Sequence, residues 1–446
     1  MSEVNYTTKK NVVFQRVSRL GAIPEDWNYS NLSDICKLIT DGTHYSPSST
    51  NGPRKYITSR NVRPGYLDLS EVAYISEDEH NSIYKSCPVK FGDVLLTKDG
   101  ANAGNACLNP LQEEFSLLSS VALIRVNREI INNYFLLYFI LSPRGQYSIG
   151  DSVAGQAITR ITLTAIREYL VPLPPLPEQR KIARILGAWD RALADLDALI
   201  EAKRRRKRGL AQRLLTGRVR LRGFGCAEMV ETKIGTVPSD WREVRFGKVF
   251  KRQSEKNESS AIKRVITVGK YAIRPQSEHF DKSVASADLS NYNVIRPGDF
   301  VYDPMSAYYG AIGRYDYEEP GIVSPVYRVL KLRRGFDSGF IKHLLKAHYV
   351  RHRIASYSTQ GNKEGKRRGL QHVAFKAIPI FVPTEEEQRR IAGVLDAADA
   401  ELAALDAQRD ALAHQKRGLM QRLLTGEVRV TPDNEDYHIA ESECNA

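Results

Sequence analysis

The feature that most restricts the fold is an internal repeat. Shifted by 209 positions, the stretch from Gln179 to Arg220 matches the stretch from Gln388 to Arg429 without a gap, and 25 of the 42 paired residues are identical. Whatever structure the first copy adopts, the second must adopt too.

Both copies read as long amphipathic helices. In the first, Ile182, Leu186, Trp189, Leu193, Leu196, Ile200, Lys203, Lys207, Leu210 and Leu214 are spaced alternately four and three apart, the seam of a coiled coil. The second repeats that register from Ile391 through Leu395, Leu402, Arg409 and Lys416 to Leu423. Thr384 followed three residues on by Glu387 forms a capping-box start, and Pro177 suits a first turn. Thr216-Gly217 and Thr425-Gly426 supply the stops, because glycine accepts the left-handed residue that closes a helix. At ~1.5 Å per residue each rod is about 57 Å long. Two rods of equal length with matching stripes are expected to pair within the chain, since each alone would expose its seam. The stripe itself leaves parallel and antiparallel orientations open.

The repeat extends beyond the rods. Gly21-Ala22-Ile23-Pro24-Glu25-Asp26-Trp27 opens one globular region and Gly235-Thr236-Val237-Pro238-Ser239-Asp240-Trp241 opens another. Lys90-Phe91-Gly92-Asp93 returns as Arg296-Pro297-Gly298-Asp299, and Gly104 falls opposite Gly310. Short apolar runs punctuated by Gly, Asn, Asp and Pro predict strands, with helices over 132–140 and 338–347. The fold class is therefore α+β: two repeated α+β globules separated and followed by two long helices. The divisions are a lead-in over 1–17, a globule over 18–177, a helix over 178–217, a linker over 218–231, a second globule over 232–384, a second helix over 385–428 and an acidic, disordered tail over 429–446. The globules keep their edges and diverge in their middles, as two copies of one reader with different targets would.

No catalytic constellation stands out. Gly361-Asn362-Lys363-Glu364-Gly365-Lys366-Arg367 has the wrong spacing for a phosphate loop and lacks its hydroxyl, and nine histidines include no HExxH. Asp303-Pro304-Met305 only partly resembles an amino-methyltransferase motif. The five cysteines contain no CxxC pair, which fits a reducing cytoplasm without zinc or disulfides. No signal peptide and no apolar run near the ~20 residues of a membrane span are present. The reading is a non-enzymatic chain that binds no cofactor and no metal. A net charge of +13 favours a polyanion as partner, because neutralised phosphates release counterions.

Binding residues are expected on polar loops. In the first globule these are Thr43 and His44, the run holding Lys98, Asn102 and Asn105, and Gln156, Thr159 and Arg160. Their amides can pair with adenine edges, and nearby glycines let backbone approach closely. In the second globule they are Tyr308 and Tyr309, then Gln360, Asn362, Lys363, Lys366, Arg367 and Arg368. The six consecutive cations Lys203 to Arg208 suit phosphate, a partner subunit or plain solvent.

Pro172-Leu173-Pro174-Pro175-Leu176-Pro177-Glu178-Gln179-Arg180, followed by a long helix ending in Lys207-Arg208-Gly209-Leu210-Ala211-Gln212-Arg213-Leu214-Leu215-Thr216-Gly217, resembles the conserved region of the DNA-specificity subunit of type I restriction-modification systems. The second copy, from Glu387-Gln388-Arg389 to Leu424-Thr425-Gly426, is similar, although Phe381-Val382-Pro383-Thr384-Glu385 replaces the proline-rich approach. The resemblance implies that each globule is a target-recognition domain reading one half of a split, asymmetric sequence in double-stranded DNA. It implies that the helices pair as an antiparallel intramolecular coiled coil with pseudo-two-fold symmetry. It further implies that one copy of this chain docks two adenine-N6 methyltransferase subunits and, through them, two restriction subunits. S-adenosylmethionine, ATP and Mg belong to those partners. A stand-alone DNA-binding regulator and a coiled-coil scaffold without DNA specificity are the alternatives.

Overall fold

A computed structural model describes residues 12–49, 51–153, 160–225, 228–232, 235–270, 272–278, 288–360 and 368–433. Contacts divide the chain into two compact units. One comprises Met1–Asp197 with Gln408–Ala446, the other Ala198–Ala407. The division cuts through both long helices, so each unit holds one globule and half of each rod.

In the first unit a four-stranded antiparallel sheet is ordered Cys36–Asp41, Val121–Val126, Val94–Thr97, Ala106–Leu108. The second unit has the same order in Phe250–Gln253, Arg328–Leu332, Phe300–Tyr302, Ile312–Arg314. The shared Gly-Asp turns explain why those residues survive in both copies. Gly92 and Gly298 take positive φ, while the Asp93 and Asp299 carboxylates accept the amides of Lys90 and Arg296 at 2.7 and 2.9 Å. The central strands are buried along their whole length, which is why Val94–Thr97 and Phe300–Tyr302 read as apolar runs rather than alternations. A helix packs beside each sheet, Asn133–Leu141 capped by Asn132 and Ser338–Lys346 capped by Asp337.

The long helices span Leu176–Leu214 and Glu385–Leu424. The Thr384 hydroxyl accepts the Glu387 amide, the bond expected of a capping box. Glu178, Gln179, Glu387 and Gln388 are all buried, because they join each helix to its globule. Gln179 accepts from the Asn132 amide at 2.9 Å and donates to the Pro174 carbonyl at 2.8 Å. Gln388 accepts from the Asp337 amide and donates to the Pro383 carbonyl, both at 2.9 Å. The change from a proline-rich approach to Phe381-Val382-Pro383 therefore keeps the proline carbonyl that accepts from the glutamine.

Within each unit the two helices run antiparallel. In the first, Asp190 pairs with Lys416 and Asp197 with Arg409. In the second, Arg204 pairs with Asp406 at 2.9 Å, Lys203 with Glu401 and Lys207 with Asp399. From Asp190–Lys416 to Asp197–Arg409, and from Arg204–Asp406 to Lys207–Asp399, the partners rise in number on one helix as they fall on the other. The cations that interrupt the apolar seam, Lys203, Lys207, Arg409 and Lys416, are thus each met by a carboxylate of the facing helix.

The Pro-Asp-Trp openings grip the ends of these rods. In the first unit Arg429 binds Glu178 and Asp26 at 2.8 and 2.7 Å and lies 5.6 Å over the Trp27 ring, whose indole donates to Glu178. In the second, Arg220 binds Glu387 and Asp240 at 2.6 and 2.8 Å. Gly217 and Gly426, at φ +69 and +73, lie so close to Pro238 and Pro24 that an added Cβ would fall 2.3 Å from the proline ring. These glycines are required both by the helix stop and by the close approach.

Candidate nucleic-acid interface

In the first unit the chain leaves strand Val94–Thr97, loops over 98–105 with Gly100 and Gly104 at positive φ, and returns in Ala106–Leu108. Three predicted segments meet at this loop. The Ile161 amide donates to the Lys98 carbonyl at 2.8 Å, and the Arg160 guanidinium lies 3.4 Å from the Asp99 carboxylate. Lys98 reaches Asp41, beside Thr43 and His44, at 3.1 Å.

This last contact corrects an expectation. Lys98 is only 2% exposed, so its ammonium is spent on the Asp41 and Asp99 carboxylates and cannot face phosphate. Thr43 is also buried, with its hydroxyl accepting the Tyr45 amide, and it shapes the turn rather than lining a surface. His44 and Arg160 are exposed, Asn102 and Asn105 half-buried. Tyr45 is 52% exposed at the same place and was not singled out by sequence, although an aromatic in a polar loop was the available signal. Gln156 and Thr159 lie outside the described residues.

In the second unit the equivalent loop joins Phe300–Tyr302 to Ile312–Arg314. Tyr308 is half-buried, Tyr309 is exposed, and their rings meet edge to face at 4.9 Å. The Leu370 amide donates to the Pro304 carbonyl at 2.8 Å, which brings in the ribbon formed by Thr359–Gln360 and Arg368–Gly369. Gln360 and Arg368 thus sit on backbone adjoining the tyrosine loop. Asn362, Lys363, Lys366 and Arg367 lie outside the described residues.

Buried thiols and a His-Asp cluster have structural explanations. Burial pushes the Cys36, Cys87 and Cys107 thiols up to about 12, which leaves them protonated and poorly nucleophilic. His343, Asp396 and Asp399 are close enough to share a cation, but Lys207 already pairs with Asp399 and Lys342 lies 3.6 Å from Asp396. The matching place in the first unit holds Tyr138, whose hydroxyl donates to Asp190 at 2.7 Å, with Lys416 beside it. Both trios seat a globule's helix on a rod.

A duplicated α+β frame on two antiparallel helices, with unlike polar loops in equivalent places, narrows the comparison with known proteins. The family model for the type I restriction modification DNA specificity domain matches residues 24–203. The putative type I restriction enzyme MjaX specificity subunit of Methanocaldococcus jannaschii is 25% identical, over 93% of this chain and 96% of its own. Over nearly its whole length the chain is similar to DNA-specificity subunits of type I restriction-modification systems. The MjaVIII specificity subunit of the same organism is 24% identical over 92% of this chain and 94% of its own. The crystal structure of the S subunit from M. genitalium shares the fold, with a TM-score of 0.51 at 15% identity over 89% of this chain and 96% of that one. Specificity subunits are the non-catalytic components of their complexes. No helix among the described residues is long and apolar enough to cross a membrane.

Proposed function

We propose that this chain is a specificity subunit that reads a bipartite, asymmetric DNA target, one half-site per globule. The supporting observation is that the two sheets share one strand order while the loops leaving their central strands differ: Asn102 and Ala103 in one occupy the places of Tyr308 and Tyr309 in the other. Phosphate contacts position each globule, and loop side chains then test base edges, each good bidentate pair contributing ~1–3 kcal/mol of discrimination. His44, Asn102, Gln156, Thr159 and Arg160 serve the first half-site; Tyr309, Gln360 and the cations over 363–368 serve the second. The paired helices set the spacing between halves. A single copy docks two methyltransferase subunits, which extrude the target adenine to reach N6, and two restriction subunits. S-adenosylmethionine, ATP and Mg act on those partners, in the cytoplasm.

Base-resolution methylation sequencing of cells expressing this chain with its methyltransferase, against the methyltransferase alone, tests the reading. A split motif methylated on both strands only when the chain is present is the expected result. No new methylation from a folded, associated complex would instead favour a stand-alone regulator or a scaffold.

A further inference from the structure

Four side chains from three separate elements converge in the second unit, and none was visible as a group in the sequence. Arg252 is exposed on strand Phe250–Gln253, and Arg328 on strand Arg328–Leu332 is paired in the ladder with Tyr302. His372 opens helix His372–Ala377, with its ring 3.4 Å from the Tyr302 hydroxyl, and Lys376 is exposed on the same helix. Among the described residues, Arg252, Arg328 and Lys376 form no ion pair; Arg328 donates only to the Pro325 and Val326 carbonyls. Elsewhere in this unit Arg264, Arg296 and Arg314 each have a carboxylate partner. Burial holds His372 below its ordinary value, and Arg252, Lys376 and Arg328 push it further the same way. The remaining group facing it, the Tyr302 hydroxyl, is raised to about 12 by burial and is neutral.

The frame does not require this charge. Alignment of the two sheets puts Ile39 at the place of Arg252, Ala122 at that of Arg328 and Leu163 at that of His372. Only Lys376 has a basic counterpart, Arg167, which is tied to the Ile39 carbonyl. Uncompensated cations gathered on one histidine repel each other until an anion arrives. The patch adjoins the tyrosine loop, where Met305 and Tyr309 are exposed.

Resting on the function proposed above, the geometry points to Arg252, Arg328, His372 and Lys376 as a phosphate clamp that holds the DNA backbone against the second globule. It positions the duplex and carries no base preference. Its absence from the first globule makes the two readers unequal in electrostatic grip. A phosphate would also favour the protonated imidazole, so binding takes up a proton and tightens as pH falls toward 6.

The test uses the full chain with its methyltransferase subunit and a duplex carrying the methylated motif. Affinity is measured against salt for wild type, for Arg252→Gln with Lys376→Gln, and for His372→Asn. Each lost phosphate contact lowers the log–log salt slope by ~0.9, so the double variant is expected to lose about two from the slope and to bind at least tenfold more weakly at ~0.15 M salt. The methylated motif stays the same, and His372→Asn flattens the pH dependence. Should the double variant fold poorly, Lys376→Gln alone, on an exposed side chain, is expected to lose about one from the slope. An unchanged slope, with wild type binding, overturns the clamp and leaves the half-site reading intact. A motif altered in the variants overturns the backbone role, since the cluster would then read bases. Failure of wild type to bind or modify any duplex removes the function proposed above, and the clamp with it.

Discussion

Arg429 shows how much one residue can hold. Its side chain is 14% exposed, and it answers Glu178, which is 4% exposed, and Asp26. Hydrogen bonds that it donates to Glu178 and then Asp26 raise its pKa well above the usual arginine range. Arg429→Ala strands a buried carboxylate, and about 3 kcal/mol of stability is expected to be lost in chemical denaturation. Gly426→Ala combines a left-handed residue with a clash against Pro24 and is expected to cost ~2 kcal/mol or more by the same measurement. His343 gives a pH signature. Burial lowers its pKa against the opposing pull of Asp396, so the unfolded chain binds the extra proton first. Stability is then fully present above the unfolded value of ~6.5 and declines as pH falls from there toward the folded value. His343→Tyr, which copies Tyr138, is expected to flatten thermal stability between pH 7 and 5. The residue scale is also where sequence reading was weakest. Lys98 looked like a free cation because Asp41, its partner, is 57 positions away.

At the scale of elements, much more was legible. Helix starts, stops and lengths follow from local chemistry: a capping box, a Thr-Gly stop and a seam of period 3.5. Orientation was legible too, but in the charges rather than the stripe. Parallel alignment of the two copies would set Lys207 against Lys416 and Asp190 against Asp399; antiparallel alignment gives each lysine an aspartate. Lys416→Asp is expected to destabilise the first unit by ~1–2 kcal/mol, because these side chains are partly exposed, and Asp190→Lys in the same chain to restore most of the loss. Thermal unfolding of the two single variants and the double variant measures the coupling. No restoration would mean the pair contributes nothing to orientation.

For the whole molecule, duplication with divergent loops predicts separable specificities. Replacing Gln156 and Thr159 is expected to relax or abolish one half of the methylated motif, with the other half and subunit assembly unchanged. Substitutions at Tyr309 should act on the opposite half, and methylation sequencing reads both. The sequence by itself determined the duplicated plan and the rods, because helix periodicity and caps depend on neighbours a few residues away. Tertiary structure alone decided which charges are paired and which are left open. Lys98 is neutralised by a strand distant in sequence, whereas Arg252, Arg328, His372 and Lys376 are assembled from three strand and helix segments spread over 125 positions. Whether a cation is paired or left open depends on the charges that folding brings within a few ångströms of it, and separation along the chain carries no record of that distance.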